Sequence, residues 1–123
     1  MKILIVDDSR AMRALIRRML HQSDYYGATV YEAEDGCAAL EAIRRFEPDL
    51  VLANWNMPQM SGIDLLETIQ SDRLGVPLGF ITSDGSASVR ERARAAGAQF
   101  LISKPFTLDS LQSAVGMVQL PLR

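Results

Sequence analysis

Polar side chains follow four short apolar runs of this sequence, each at the point where a buried strand would end. They are Asp7 and Asp8 in "IVDDSR", Asn54 in "LANWNMP", Thr82 in "FITSDG" and Lys104 in "LISKPF". Each type has an ordinary structural explanation, since acids cap helices, threonine favours strands and asparagine favours turns. Their conjunction at four strand ends is harder to explain as independent features. If those strands are neighbours, the side chains converge on one pocket suited to a polar ligand.

The elements that would position these residues follow from the apolar pattern. Continuous apolar runs predict five strands buried on both faces, at residues 2–6, 28–33, 49–54, 77–83 and 98–104. Helical spacing recurs between the runs, most clearly at Met12, Leu15, Ile16, Met19 and Leu20. Weaker stripes predict four more helices, and Pro121 would end the last one. This alternation predicts parallel strands with right-handed crossovers and helices on both faces of the sheet.

Composition limits the class of protein. A chain of 123 residues, 48% hydrophobic and 23% charged, with a net charge of -2, predicts one globular domain spanning residues 1–123. The single Cys37 cannot form an internal disulfide, which favours a reducing, cytoplasmic location. No apolar run is long enough to span a membrane, and acids at positions 7 and 8 argue against a signal peptide.

The charge distribution also bears on partners. The slightly acidic balance gives no electrostatic footprint for nucleic acid, although four arginines form a local basic face: Arg10, Arg13, Arg17 and Arg18. We therefore expect neither nucleic acid nor a membrane as a partner.

The sequence resembles the response-regulator receiver domains of two-component signalling, and among them the CheY-like single-domain chemotaxis type. The blocks "ILIVDDSRAMR", "PDLVLANWNMPQMSGIDLL", "FITSDG" and "AGAQFLISKPF" match that family in order and spacing, over essentially the whole chain. The resemblance implies a flavodoxin-like, doubly wound α/β fold with five parallel strands in the order 2-1-3-4-5 and five helices. It also implies a cis peptide bond between Lys104 and Pro105.

The same resemblance implies a role for the residues at the strand ends. In the family, the third strand ends in an aspartate that accepts a phosphoryl group from a histidine kinase, and the matching residue here is Asn54. Thr82 would bond the phosphoryl oxygens and Lys104 would pair with their charge. Because an uncharged amide is a poor nucleophile, we expect no phosphorylation of this chain as written.

Magnesium is the cofactor that the resemblance implies, held by Asp7, Asp8 and the backbone carbonyl of Asn56. Together with Lys104 these acids carry a charge of -1, which an aspartate at position 54 would make -2. Two charges about 4 Å apart interact by roughly 4 kcal/mol at an effective dielectric of ~20, and lost hydration offsets much of that. We expect about 1–3 kcal/mol less affinity for Mg²⁺, so binding is weakened and not abolished.

The conformational switch of the family is also altered. CheY-like domains usually carry an aromatic residue three positions before the strand-five lysine, and its rotamer follows the strand-four hydroxyl. The matching residue is Leu101, while Phe100 is expected on the other sheet face. Any switch would then rest on Thr82 and the loop after it, where Ser83 is small.

The implied function is a signalling receiver and not an enzyme in the turnover sense. It would dock to a sensor histidine kinase and an output protein through its fourth helix, fifth strand and fifth helix. Asparagine is nearly isosteric with aspartate, so Asn54 suits both an engineered block of phosphorylation and a natural loss. The alternative function is a docking adaptor, or pseudo-receiver, that works independently of phosphorylation.

Other phosphate-binding classes fit less well. A flavodoxin needs a loop rich in Ser, Thr and Gly after strand one, where this chain carries two acids. A haloacid-dehalogenase-type phosphatase needs acids two residues apart, and a Walker-type nucleotide site needs a Gly-Lys-Ser/Thr motif.

Overall fold

A computed structural model describes residues 1–118 of the chain. Its strands are β1 (Lys2–Val6), β2 (Thr29–Ala33), β3 (Leu50–Asn54), β4 (Leu78–Thr82) and β5 (Phe100–Ser103). Its helices are α1 (Arg10–His21), α2 (Gly36–Phe46), α3 (Gly62–Ser71), α4 (Ala87–Ala95) and α5 (Leu108–Gly116). The strands form one parallel sheet in the order β2-β1-β3-β4-β5. The flavodoxin-like fold class is therefore confirmed, with β2 to β5 each shorter than predicted; the predicted helix stop at Pro121 lies outside the described residues.

Both faces of the sheet are covered, which is why its strands read as continuous apolar runs. Side chains alternate along each strand, so Leu4 and Phe80 pack towards α2, α3 and α4, whereas Ile5 and Ile81 pack towards α1 and α5. The two apolar layers leave the carboxyl ends of the strands as the edge where polar side chains can gather.

Helix α1 departs from the predicted stripe at one position. Ile16 and Leu20 are buried, but Leu15 is 37% exposed. At 3.6 residues per turn, Leu15 lies about 100° from Ile16 and about 140° from Leu20 around the helix. The helix touches the sheet along a narrower line than the apolar spacing indicated, and Leu15 lies outside that contact.

No helix within residues 1–118 is long and apolar enough to cross a membrane.

Candidate functional site

Three of the predicted site residues are in direct contact at the carboxyl ends of the strands. Asn54 is the last residue of β3, while Asp7 and Lys104 directly follow β1 and β5. The Lys104 Nζ atom lies 3.4 Å from Oδ1 of Asn54 and 3.6 Å from Oδ2 of Asp7. The Lys104–Pro105 peptide bond is cis, as the resemblance implied. The lysine therefore connects the ends of β1, β3 and β5.

The carboxylate of Asp7 is buried and held on several sides. The residue is 2% exposed, and its Oδ1 atom accepts the Ser9 N–H at 2.8 Å. Burial raises the pKa of Asp7, and the nearby Asp8 raises it further, whereas the Ser9 hydrogen bond and the Lys104 charge lower it by less. The net direction is upward, so the charged form of Asp7 is held at some cost in the folded chain.

Arg13 fixes the backbone of the acidic loop. Its Nη1 atom donates to the Asp7 carbonyl oxygen at 2.6 Å, and its Nε atom pairs with Glu32 at 2.9 Å. Glu32 also pairs with Arg17 at 2.8 Å. Arg13 and Arg17, which are part of the predicted basic face, are thus paired with Glu32 of β2. Arg13 also positions the backbone of Asp7. This role is not evident from the sequence, because local spacing shows no link between α1 and Glu32.

Asn54 makes a second, shorter contact within its own loop. Its Nδ2 atom donates to the backbone carbonyl oxygen of Asn56 at 2.6 Å. The same loop returns close to β3, since the Gly62 N–H donates to the Trp55 carbonyl at 2.9 Å. A Cβ atom on Gly62 would lie 2.5 Å from the Asn54 carbonyl oxygen, so this close approach requires glycine. The loop that carries Asn56 is therefore held against the end of β3.

Asp8 differs from Asp7 in its surroundings. It is exposed, and with Asn56, Pro58 and Ser61 it helps to line an open cavity of about 310 Å³. Carboxylate and carbonyl oxygens beside a space open to solvent suit Mg²⁺, which takes oxygen ligands and keeps several waters. The donor set fits that ion, although among residues 1–118 no three acidic, histidine or cysteine side chains group as metal ligands.

Thr82 lies on the neighbouring strand end, but its hydroxyl is directed to the following loop. The residue is fully buried, and its Oγ1 atom accepts the Asp84 N–H at 3.0 Å. Its backbone carbonyl accepts the Lys104 N–H at 2.6 Å. Thr82 thereby places the backbone of Lys104.

The predicted switch region contains an arginine that sequence reasoning missed. Leu101 and Phe100 pack on opposite sheet faces, as predicted. Arg90 of α4 donates from Nε to the Gly85 carbonyl and from Nη1 to the Leu101 carbonyl, both at 3.1 Å. Nothing in the "SVRERAR" segment distinguishes Arg90 from the other exposed arginines of the helix.

Comparison with known proteins fixes the family. The profile of the response regulator receiver domain matches residues 3–116. The chain belongs to this family. The receiver domain is 36% identical to chemotaxis protein CheY-3 of Vibrio cholerae over 120 residues, covering 96% of the chain and 91% of that protein. It is also 36% identical to chemotaxis protein CheY1 of Helicobacter pylori over 121 residues, covering 96% of each.

Solved structures agree with this assignment. The chemotaxis protein CheY4 of Vibrio cholerae superposes with a TM-score of 0.84 at 28% identity, covering 96% of this chain and 98% of that one. The signal receiver domain of a LuxO-type repressor from Vibrio parahaemolyticus gives a TM-score of 0.86 at 26% identity, covering 94% and 87%. The chain is a CheY-like receiver domain in sequence and in fold.

Proposed function

We propose that this receiver domain signals by docking to a sensor histidine kinase and to an output protein in the cytoplasm, and that it accepts no phosphoryl group as written. One observation carries the proposal: the residue at the end of β3, in contact with Lys104, is the amide Asn54. Phosphoryl transfer to a receiver needs a nucleophilic oxygen at that place, and a side-chain amide is a poor nucleophile. The domain is then not an enzyme in the turnover sense.

The remaining residues keep the chemistry of a phosphoryl site. Lys104 places a positive charge beside position 54, and the Thr82 hydroxyl lies at the end of the adjacent strand. Both can stabilise phosphoryl oxygens, since phosphoryl transfer depends mainly on positioning and on neutralising oxygen charge. In an Asn54→Asp variant, the new carboxylate would therefore lie beside groups able to support its phosphorylation.

Magnesium is the proposed cofactor, with Asp7, Asp8 and the carbonyl oxygen of Asn56 as its ligands. The ion would neutralise charge on phosphoryl oxygens when bound. Lys104 already lies close to Asp7 and Asn54 lacks a charge, so we propose weak binding.

The proposed docking face consists of α4, β5 and α5. All four residues of β5 are only half-buried, so the helices leave this edge of the sheet partly open. Cavities of about 450 Å³ and 170 Å³ lie on this face, and Arg90 and Leu101 line both. The open edge and its recesses favour a partner segment binding there.

Mass spectrometry after incubation with acetyl phosphate and Mg²⁺ tests the phosphorylation part of the proposal. We expect no phosphoryl adduct on the Asn54 protein and an acid-labile adduct on the Asn54→Asp variant. An Asn54→Asp, Lys104→Met double variant is the matched control and should label poorly. A stable phosphoryl adduct on the Asn54 peptide of the unmodified chain would refute the proposal.

The adaptor alternative is favoured by the contacts that Asn54 already makes. Its amide is bonded on both sides, to Asn56 and to Lys104. Binding of the output partner separates the two functions. An adaptor binds equally well as the Asn54 protein and as phosphorylated Asn54→Asp, whereas a phosphorylation-dependent receiver binds better in the second form.

A further inference from the structure

We infer that the side-chain amide of Asn54 acts as an internal substitute for the metal ion and competes with Mg²⁺ for the Asn56 carbonyl oxygen. The inference rests on the magnesium site of the proposed function and adds a second cause of weak binding. The first cause is the missing charge at position 54, and the second is a ligand atom that is already engaged.

The orientation of the amide is fixed by its two neighbours. Nδ2 lies 2.6 Å from the Asn56 carbonyl, which can only accept a hydrogen bond, and Oδ1 lies 3.4 Å from the Lys104 ammonium, which can only donate. Rotating the amide by half a turn would bring two oxygens together at one contact and two donors together at the other. The NH₂ group therefore stays directed at the carbonyl.

A cation that binds the Asn56 carbonyl must displace this hydrogen bond. Asn54 would then have to turn away, and its NH₂ group would lose its acceptor, which lowers the net affinity for the ion. An aspartate at position 54 has the opposite effect, because its oxygen would face the carbonyl oxygen and a cation between them would relieve the repulsion. The amide and the metal are thus alternative occupants of the same place.

Asn54→Ala separates this competition from the effect of charge. The substitution removes the NH₂ donor and adds no charge, so an explanation by charge alone predicts no gain in affinity. Competition predicts that Asn54→Ala binds Mg²⁺ roughly two- to ten-fold more tightly than the Asn54 protein. Loss of Oδ1 also frees Lys104 to approach Asp7, which would weaken metal binding and cannot imitate the expected gain.

Mg²⁺ titration at constant ionic strength is the experiment, followed by Trp55 fluorescence and repeated by calorimetry. The proteins are the unmodified chain, Asn54→Ala and Asn54→Asp, with Asn56→Ala as a control that keeps the backbone carbonyl. Asn54→Leu, whose side chain has the same branched arrangement of heavy atoms as asparagine and no donor, replaces Asn54→Ala if the alanine variant does not fold. In EDTA, amide hydrogen exchange across residues 56–61 should also be faster in Asn54→Ala than in the unmodified chain.

The order of affinity decides the outcome. Tightest binding by Asn54→Asp, intermediate binding by Asn54→Ala and weakest binding by the Asn54 protein supports the inference. If Asn54→Ala binds no more tightly than the unmodified chain while Asn54→Asp binds well, competition is refuted and the magnesium site stands. If Asn54→Asp does not bind Mg²⁺ either, the magnesium site fails and the inference fails with it.

Discussion

Replacing Asn54 by aspartate should destabilise the metal-free domain, although aspartate is the residue that the resemblance implies at this position. The Nδ2 donor of Asn54 lies 2.6 Å from the Asn56 carbonyl oxygen, and the substitution puts a carboxylate oxygen in its place. It also adds a negative charge near the buried Asp7, whose pKa is already raised by burial. Both changes favour the unfolded chain, where the carboxylates are hydrated and apart.

The size of the effect follows from three contributions. Loss of the hydrogen bond costs about 0.5–1.5 kcal/mol, and repulsion between the new carboxylate and Asp7 adds about 1 kcal/mol. Attraction between the new carboxylate and Lys104, whose side chain is 21% exposed, stabilises the fold by about 0.2–1 kcal/mol and offsets part of this loss. The net loss is about 1–2 kcal/mol, which would lower the urea midpoint by roughly 0.5–1 M.

Urea unfolding followed by Trp55 fluorescence in EDTA measures this difference. Added Mg²⁺ should stabilise Asn54→Asp by mass action and reduce or reverse the difference in stability between the two proteins. Comparison of the two conditions therefore separates the effect of metal binding from the stability of the metal-free fold. Asn54→Ala is the control for the hydrogen bond alone. A metal-free Asn54→Asp protein as stable as the unmodified chain would refute this explanation and mean that the Asn54–Asn56 bond contributes nothing to stability.

Two further substitutions test other contacts. Burial alone would raise the pKa of Glu32, but its hydrogen bonds to Arg17 and Arg13 and their charges outweigh burial and lower the pKa below 4.5. A lowered pKa contributes stability above the unfolded pKa, and this contribution is lost as the pH falls through the folded pKa. Glu32→Gln should therefore cost about 0.5–1 kcal/mol at pH 7 and progressively less as the pH falls below 4.5 in urea titrations. Gly79→Ala should cost about 1–3 kcal/mol in thermal or urea unfolding, because its Cβ would collide with the Phe100 ring. In a chain that already carries Phe100→Ala, the Gly79→Ala substitution should cost less stability, which would confirm the collision with Phe100. An unchanged cost in that chain would exclude the collision.

The fold was predictable because its determinants are local and repeated. Apolar runs buried on both faces identify parallel strands, and the helical spacing between them sets the crossovers. The ends of the strands were predicted less accurately. Ser83, for example, belongs to the apolar run of β4, but the last pair of residues between β4 and β5 is Thr82 and Ser103. Leu15 shows the same limit, because spacing identifies an apolar stripe and not the width of the contact.

The site was predictable in its residue types and not in its hydrogen bonds. Parallel strands with polar ends bring Asp7, Asn54 and Lys104 to one edge, so topology alone suffices for their proximity. The hydrogen bond from Asn54 to the Asn56 carbonyl depends on a loop conformation, and the hydrogen bond from Arg13 to the Asp7 carbonyl joins α1 to the loop after β1. Neither leaves a pattern in sequence spacing.

Leu101 and Asn54 are two departures from the family pattern, and both bear on whether the proposed docking face depends on phosphorylation. Arg90 contacts the proposed docking face through the backbone carbonyl of Leu101, and its bond to the Gly85 carbonyl holds it to the loop after Thr82. A contact to a backbone carbonyl does not require an aromatic side chain at position 101, so the loop and β5 are joined without the rotamer that the family uses. Under the proposed function the chain accepts no phosphoryl group, so it would have no need of that rotamer either. Both departures therefore favour a docking face whose conformation is held by constant contacts and does not follow phosphorylation. The retained Thr82 hydroxyl, by contrast, favours a site at which the Asn54→Asp variant would accept a phosphoryl group.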